Sequence, residues 1–167
     1  MLYFAYGSNL NHFQMKRRCK DSKFLKKIKL KGFKLTFRSK YRAADIESKK
    51  NSIVPGGLFE ISKSDEKKLD VYEDCPVLYK KYYFKYYGKK VMTYTMVKKT
   101  KFTYPTEKYL NVVKHGYKDC KLNKKYLIKA LMPLQKRYVW YENSRSCESV
   151  WFESDRDRGS EFVVLGS

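Results

Sequence analysis

The sequence predicts an α+β domain built on a small, mixed, barrel-like β-sheet with peripheral helices. Three observations lead to this prediction. Strand-like segments dominate the chain before residue 100, one or two helical patterns are inserted among them, and the pattern becomes helical from Thr106 onward. Strands first, with helices inserted and at the end, are typical of α+β architecture, and many short strands favour a curved sheet.

The chain begins with a short apolar segment that runs into a polar turn. Residues 2–6, LYFAY, are bounded by glycine and serine and predict a buried strand. Residues 11–20 predict a short helix that Asn9 or Asn11 caps. A strand that ends in Gly-Ser-Asn before a helix presents backbone N–H groups to an anion, and Gly7 allows close approach. Taken alone, the stretch is also explained by an ordinary strand-to-helix turn.

The following segments predict strands. Residues 24–38 alternate apolar and basic side chains, as in a half-buried strand, with a bulge expected at Gly32. Residues 41–48 predict another short strand. The Pro-Gly-Gly sequence at 55–57 predicts a turn, followed by a strand at 58–62, LFEIS.

The middle of the chain predicts a helix and then a hairpin. Residues 62–74 fit a helix with Ser62 or Ser64 near its start and acidic residues in its first turn. Residues 78–87 and 89–97 predict two strands joined by the glycine between them.

The helical pattern after Thr106 has two apolar faces, with Gly116 expected between them. The two faces consist of Tyr109, Val112 and Val113, and of Leu127, Ala130 and Leu131.

The stretch LDVYEDCPVLY, residues 69–79, places carboxylates at the end of a helix. Leu69 and Tyr72 are expected to point inward, and Glu73, four residues after Leu69, shares that side. Burial destabilises an ionised carboxylate, so the pKa of Glu73 is expected to rise towards neutrality, as a proton shuttle requires. A capping or surface glutamate is the alternative from this stretch alone.

The net charge of +21 comes almost entirely from lysine, scattered as Lys-Lys pairs along the chain. Such a charge attracts phosphate at long range. However, lysine, tyrosine and phenylalanine are together enriched by A/T-rich codons, and readers of nucleic acids usually rely on arginine. We therefore interpret the charge as a solvated surface, and a charge-driven nucleic-acid-binding protein is the less favoured alternative.

The sequence has no pattern expected of a membrane or secreted protein. Its longest apolar runs fall short of the roughly 20 residues that span a bilayer, and its start does not resemble a signal peptide. The four cysteines show no CxxC pair, so free thiols in a reducing, cytoplasmic compartment are expected. Two histidines are too few to indicate a metal site.

Composition changes abruptly near Pro133. Residues 1–132 contain 29 lysines, whereas residues 133–167 contain 1 lysine and both tryptophans. We predict one domain over 1–132 and a tail over 133–167. The tail is either a natural extension that packs on the domain or a sequence foreign to the gene.

Several of these segments together resemble the gamma-glutamyl cyclotransferase-like family. The resemblance rests on YFAYGSNL at the start, GLFEIS, LDVYEDCPVLY, and TEKYLNVVKHGYKDCKLNKKYLIKAL, in the family's order over residues 1 to 132. It implies a barrel-like domain that acts on gamma-glutamyl amides. The α-amine of such a substrate attacks its own side-chain carbonyl, which closes 5-oxoproline and expels an amine or amino acid.

The resemblance also implies roles for particular residues. Glu73 would be the general base and acid, and Tyr109 would reach the site with its hydroxyl. Tyr79 is a weaker candidate. No cofactor is implied, and the expected partner is a small gamma-glutamyl compound. The substrate would bind to the end of the first strand and its turn: Tyr3, Phe4, Ala5, Tyr6, Gly7, Ser8 and Asn9.

One position departs from the family pattern, because Asp74 stands where the family usually has glycine. An added negative charge beside Glu73 would raise its pKa further or repel an anionic substrate. Three functions follow from the resemblance: a cyclotransferase, a domain of this fold with lost or altered activity that serves as a binding module, or another reaction on gamma-glutamyl groups. We expect Asp70 and Asp74 to be solvated.

Overall fold

The computed structural model of the chain describes residues 1–142, with side chains as far as Leu134. The described part contains a mixed five-stranded sheet with the strand order β2-β3-β1-β5-β4. Neighbouring strands are antiparallel except for the parallel pair β1 and β5. The elements are β1 Leu2–Ala5, α1 His12–Arg18, β2 Lys23–Arg38, β3 Ala43–Glu60, α2 Lys63–Tyr72, β4 Tyr79–Tyr86, β5 Lys89–Met96, α3 Glu107–Asp119 and α4 Lys125–Glu142, with a 3₁₀ turn at Ser8–Leu10.

The predicted α+β class and mixed sheet are confirmed, but the sheet is not closed into a barrel. Strands β2 and β4 form its two edges. The sheet curls enough that side chains from these edges meet: the rings of Phe33 and Tyr82 lie 5.4 Å apart, and Lys26 Nζ lies 5.2 Å from the Tyr86 ring. The barrel-like shape therefore comes from curvature and side-chain contact across the open seam.

The predicted turn at residues 55–57 was wrong. These residues lie inside the 18-residue strand β3, which also absorbs the two shorter strands predicted on either side. The glycines serve close packing instead: a Cβ atom at Gly56 would overlap the carbonyl oxygen of Ala5 and the ring of Phe4. Pro55 pairs with Lys29 and lies beyond the end of β1, where its missing N–H is not needed.

The predicted bulge and hairpin are confirmed. The register of β2 against β3 shifts between Lys31 and Phe33, and Gly32 between them has a φ of 78°. Strands β4 and β5 pair through a turn in which Tyr87 and Gly88 have φ values of 46° and 75°. Two successive positive φ values are typical of the tight turns that match the twist of a hairpin.

Polar side chains cap the first three helices. Asn11 accepts a hydrogen bond from Gln14 N, Ser62 from Asp65 N, and Thr106 from Tyr109 N. The caps on α1 and α2 were among the predicted candidates. Each cap satisfies an N–H group that has no partner within its own helix.

Gly116 lies inside α3 rather than between two helices, which corrects the sequence prediction. A Cβ atom at this position would lie 2.6 Å from the backbone nitrogen of Asn11. The glycine therefore lets α3 pack directly on the Ser8–Leu10 turn. Leu110 and Val113 of the same helix are buried in the core.

Helix α4 runs through Pro133, where the tail was predicted to begin. Residues 143–167 of the predicted tail lie outside the described residues, so the boundary remains a prediction. Among residues 1–142, none of the helices combines the length and the apolar composition that a membrane span requires. Three cysteines of the described part, Cys19, Cys75 and Cys120, are free thiols, as expected.

Candidate active site

A small cavity opens where the first strand ends against the end of α2. Its volume is about 30 Å³. Strand β1 and the following turn contribute one wall, and residues from α2, β3, β4, β5 and α3 complete it. The lining residues are Tyr3, Tyr6, Gly7, Ser8, Asn9, Ala44, Glu73, Tyr79, Tyr94 and Tyr109. Most of the residues that the sequence predicted for a substrate site are thus brought together.

Phe4 and Ala5 are the two predicted site residues that do not line this cavity. Both are fully buried. The Phe4 ring packs edge-on against Phe84, with ring centroids 5.8 Å apart, and Ala5 pairs with Gly57 of β3. They belong to the packed core below the site.

Asn9 links the turn after β1 to the end of α2. Its side-chain amide donates hydrogen bonds to the hydroxyl of Tyr3 and to Oε1 of Glu73, both at 2.8 Å. Its oxygen accepts a hydrogen bond from Arg18 at 2.5 Å. Because both amide hydrogens and the oxygen have partners, the orientation of the Asn9 side chain is fixed.

The backbone at the end of α2 places Glu73 at the cavity. The N–H of Asp74 donates to the carbonyl of Val71, and the N–H of Cys75 donates to the carbonyl of Asp70. Asp74 between them has a φ of 49°. These bonds and this left-handed residue define a Schellman motif, which ends a helix at a fixed position and leaves Glu73 as its C-cap.

The pKa of Glu73 is raised to about 7, as the sequence led us to expect. Burial is the main cause, because it disfavours the ionised form. The positive charge of Arg18 and the hydrogen bond from Asn9 act in the opposite direction. Asp74 is exposed and is not a cause of the rise. Glu73 can therefore exchange a proton near neutral pH.

Arg18, at the end of α1, is a site residue that the sequence analysis missed. Its guanidinium lies 3.7 Å from the centre of the Tyr72 ring and also donates to Asn9. Tyr72 is partly exposed rather than pointing inward, which corrects the prediction. The feature of the sequence that could have indicated Arg18 is its residue type. It is an arginine in the first helix, in a chain whose basic residues are mostly lysines.

Tyrosine hydroxyls form much of the remaining wall. The Tyr109 hydroxyl accepts a hydrogen bond from the N–H of Ala44 at 3.1 Å, and the Tyr79 hydroxyl donates to the carbonyl of Ala44 at 2.6 Å. Burial raises the pKa of both tyrosines, so both hydroxyls stay protonated. Ala44 of β3 thus anchors two tyrosines that come from β4 and α3.

Asp70 was predicted to be solvated, and its side chain is partly exposed but also hydrogen-bonded within the protein. Its carboxylate accepts hydrogen bonds from the hydroxyl of Tyr94 at 2.7 Å and from Lys81 at 2.8 Å. Tyr94 therefore directs its proton away from the cavity and leaves an oxygen lone pair for a ligand that donates.

Within the described residues, no cluster of histidine, cysteine and carboxylate side chains is placed to hold a metal ion.

Comparisons with solved structures show the class of fold. A structure described as "Gamma-glutamyl cyclotransferase" is 26% identical over 78% of this chain and 85% of that protein, with a TM-score of 0.65. An uncharacterized protein from Homo sapiens is 23% identical over 92% and 91%, with a TM-score of 0.59. YkqA from Bacillus subtilis is 21% identical over 83% of this chain but 53% of that protein, with a TM-score of 0.63.

The family itself follows from the sequence match. The family model "Gamma-glutamyl cyclotransferase, AIG2-like" matches residues 3–117, which contain every residue of the cavity wall. The chain belongs to this family. A comparison with curated proteins finds no match.

Proposed function

We propose that the protein is a gamma-glutamyl cyclotransferase that converts a gamma-glutamyl amide into 5-oxoproline and a free amine or amino acid. The observation that carries this proposal is the position of Glu73, a carboxylate with a pKa of about 7 facing the turn that follows β1. Membership of the family supports it.

The reaction requires proton transfer but does not require a nucleophile from the protein. The α-amine of the substrate attacks the γ-carbonyl carbon, the new C–N bond closes the lactam ring, and the original amide C–N bond breaks. Glu73 takes a proton from the α-ammonium group and returns it to the leaving nitrogen. Because Asn9 occupies Oε1, we assign the proton transfer to Oε2. Such acid–base help contributes about 10²–10⁴-fold in rate.

The other wall residues suit the charged groups of the substrate. The hydroxyl of Tyr3 accepts from Asn9 and keeps its own proton to donate, so we assign it to the substrate carboxylate or the carbonyl oxygen. The lone pair of Tyr94 suits the ammonium group, because its proton is held by Asp70. Gly7 keeps the turn accessible, since a Cβ atom there would lie 3.2 Å from the Tyr109 hydroxyl.

A cavity of about 30 Å³ holds water-sized groups but is smaller than a glutamyl head. Substrate binding therefore requires outward movement of side chains in or beside the cavity wall. Changes of side-chain rotamer on binding are common. Tyr72, partly exposed beside the cavity and 3.5 Å from the Ser8 hydroxyl, is the side chain we assign to this movement.

The direct test is incubation with a panel of gamma-glutamyl compounds, with 5-oxoproline detected by mass spectrometry. Glu73→Gln should lower kcat by about 10²–10⁴-fold while KM changes little, because the variant keeps a hydrogen-bonding group but loses the proton shuttle. Glu60→Gln, an exposed residue at the end of β3, is the matched control. Wild-type turnover by Glu73→Gln, or no 5-oxoproline from any compound, would contradict the proposal.

A further inference from the structure

The turn between β4 and β5 places a bulky aromatic side chain in a conformation that glycine or asparagine usually adopts. Tyr87 has a φ of 46°, in the left-handed region, and Gly88 follows with a φ of 75°. A bulky residue rarely adopts this conformation, because its Cβ atom crowds the backbone. Tyr87 is nevertheless 88% exposed, so packing of its ring does little to offset the strain. A strained and exposed side chain of this kind indicates a role other than folding.

Lys26 of β2 reaches this turn across the open seam of the sheet. Its ammonium group lies 5.2 Å from the centre of the Tyr86 ring and 5.9 Å from the centre of the Tyr87 ring. The two rings meet edge to face, with their centres 4.7 Å apart. A cation and two aromatic rings therefore lie together at the end of the hairpin, although β2 and β4 are not neighbours in the sheet.

Three further lysines flank the two rings. Lys89 lies opposite Tyr86 across the hairpin, and Lys90 lies opposite Lys85. All four lysines are exposed, and within the part of the chain whose side chains the structure describes, no carboxylate forms an ion pair with any of them. We call this group of six residues the hairpin tip: Lys26, Lys85, Tyr86, Tyr87, Lys89 and Lys90.

The three strands that build the hairpin tip contain no acidic residue. Strand β2 carries six lysines, β4 three and β5 two, and none of them carries aspartate or glutamate. A codon bias enriches lysine along the whole chain but does not exclude acidic residues from particular strands. Lysine on an edge strand also prevents edge-to-edge pairing, but exposed tyrosines beside it work against that purpose. The combination favours a bound polyanion over a solvated edge.

Lysines and exposed aromatic rings together are the groups that a single-stranded nucleic acid requires. Each nucleotide carries one negative charge, and each unpaired base presents a flat face for stacking. Within residues 80–90 the exposed side chains belong only to lysine and tyrosine. A membrane-binding surface would instead expose leucine, phenylalanine or tryptophan beside its basic residues. A duplex covers the faces of its bases, so a protruding tyrosine suits a single strand better.

We propose that the hairpin tip binds single-stranded nucleic acid, with the Tyr87 ring stacked on a base and the four lysines paired with phosphates. This function is separate from the proposed cyclotransferase, because no residue of the hairpin tip lines the candidate active site. It also revises, for this part of the chain, the interpretation of the lysines as a solvated surface. Recognition by stacking depends little on the order of the bases.

The test measures the binding of the whole chain to a short, fluorescently labelled oligothymidylate. The matched probe is an abasic strand of the same length, which keeps the phosphates but lacks the bases. We expect the affinity for oligothymidylate to be about tenfold higher, because stacking of one base on an aromatic ring contributes on that order. Equal affinity for the two strands would overturn the proposal, and so would the absence of binding in the range of about 10⁻⁴–10⁻⁶ M that non-specific complexes show.

Tyr87→Asn removes the ring but suits the left-handed turn, so the hairpin should be retained and the free energy of unfolding should not fall. We expect this variant to bind both strands equally, at the affinity that the wild type has for the abasic strand, whereas Tyr87→Phe should bind as the wild type does. Phe13→Ala on α1 is the matched control, because Phe13 is another exposed ring with a cation, Arg17, beside it. Unchanged binding by Tyr87→Asn, or an equal loss in Phe13→Ala, would refute the stacking role.

The lysines are tested by the dependence of binding on salt. Lys26→Gln and Lys89→Gln should each reduce the slope of log Kd against log salt concentration by about 0.7 with either strand, because each removes one phosphate contact. Lys114→Gln, an exposed residue on α3, should leave the slope unchanged. The same slope in all three variants would contradict the phosphate contacts.

Two further measurements separate this proposal from other functions. Binding to phosphatidylserine vesicles that depends on Tyr87, with none to oligothymidylate, would replace the nucleic acid by a lipid surface and overturn the proposal. Release of 5-oxoproline from gamma-glutamyl substrates should be the same in the wild type and in Tyr87→Asn. Loss of that release in Tyr87→Asn would contradict the separation of the two sites, whereas an inactive wild type would remove only the cyclotransferase proposal.

Discussion

The side-chain amide of Asn9 donates a hydrogen bond of 2.8 Å to Oε1 of Glu73, although 64 residues separate the two in the chain. This bond joins the turn after β1 to the end of α2, the two segments that carry the candidate chemistry. Asn9 is held in turn by Arg18. The position of the carboxylate therefore depends on a chain of three polar residues rather than on a single contact.

The raised pKa of Glu73 predicts a dependence of stability on pH. The partly buried carboxyl of Glu73, with a pKa of about 7 in the folded state against 4.5 for the ordinary group, binds its proton more tightly when folded. Its contribution therefore destabilises the fold as pH rises from about 4.5 through 7, by on the order of 3 kcal/mol. Below pH 4.5 the residue is protonated in both states and this cost disappears.

Chemical denaturation of the wild type and Glu73→Gln at several pH values measures this cost. We expect the variant to be the more stable protein at pH 8 and the two to converge near pH 4. Other titrating groups are shared by both proteins and cancel in the difference. A difference in unfolding free energy that does not change with pH would contradict the raised pKa.

Local signals in the sequence located much of this fold because they act over a few residues. Asn11 and Ser62 cap helices where cap residues were predicted, and Gly32 lies at a bulge. The predicted position of Glu73 beside the first turn followed from the helix period and the family resemblance together. The features that could be predicted, such as helix caps and the bulge, are determined by the geometry of a few neighbouring residues.

The sequence analysis was wrong about two glycines and missed one arginine. The roles of these three residues depend on contacts with residues distant in the chain. Gly56 belongs to a predicted turn in the sequence, yet it is needed because Ala5 and Phe4 pack against it. Gly116 is needed because the turn at Asn11 touches it. Arg18 stands out in the sequence only as an arginine among lysines, and that residue type alone does not indicate its contacts with Asn9 and Tyr72. Only tertiary packing reveals such roles.

Asp74 departs from the family pattern at a position with a φ of 49°. This left-handed conformation explains why the family resemblance favours glycine there, and aspartate tolerates it better than most residues. We expect Asp74→Gly to raise the unfolding free energy by up to about 1 kcal/mol and to leave kcat/KM essentially unchanged, because the aspartate is exposed and does not raise the pKa of Glu73.

Asp74→Asn separates the effect of charge from that of conformation, because asparagine keeps the left-handed backbone but is neutral. Steady-state kinetics and thermal unfolding of both variants check the prediction. A large gain in turnover in both would show that the charge suppresses activity, as the hypothesis of a catalytically altered domain requires.

Gly116 is expected to affect the candidate active site indirectly, through the turn against which it packs. A methyl group at this position would press on Leu10 and Asn11, which continue the turn that carries Asn9. Gly116→Ala should lower the unfolding free energy by about 1–3 kcal/mol and reduce turnover, because either α3 or the turn must shift. Lys114→Ala on the exposed side of the same helix is the control. Unchanged stability and activity in Gly116→Ala would show that the contact relaxes freely.

Arg18 is expected to position Asn9 and to tune Glu73. Its charge lowers the pKa of the glutamate, and its bond fixes the oxygen side of the Asn9 amide. In Arg18→Gln the acid limb of the kcat/KM profile, expected near pH 7 in the wild type, should move to higher pH. The lost orientation of Asn9 should also lower kcat. A purely structural role would lower stability without moving this limb.

Arg17→Gln provides the matched control, because Arg17 is the exposed neighbour on the same helix turn and lies near the Phe13 ring rather than Asn9. It removes the same charge only one residue away, so general electrostatic effects of the helix appear in both variants. Arg18→Lys should recover the position of the acid limb, since it restores the charge, but not the full kcat, since an ammonium group cannot stack on Tyr72 as a guanidinium does. Identical pH profiles for Arg17→Gln and Arg18→Gln would refute the tuning of Glu73 by Arg18.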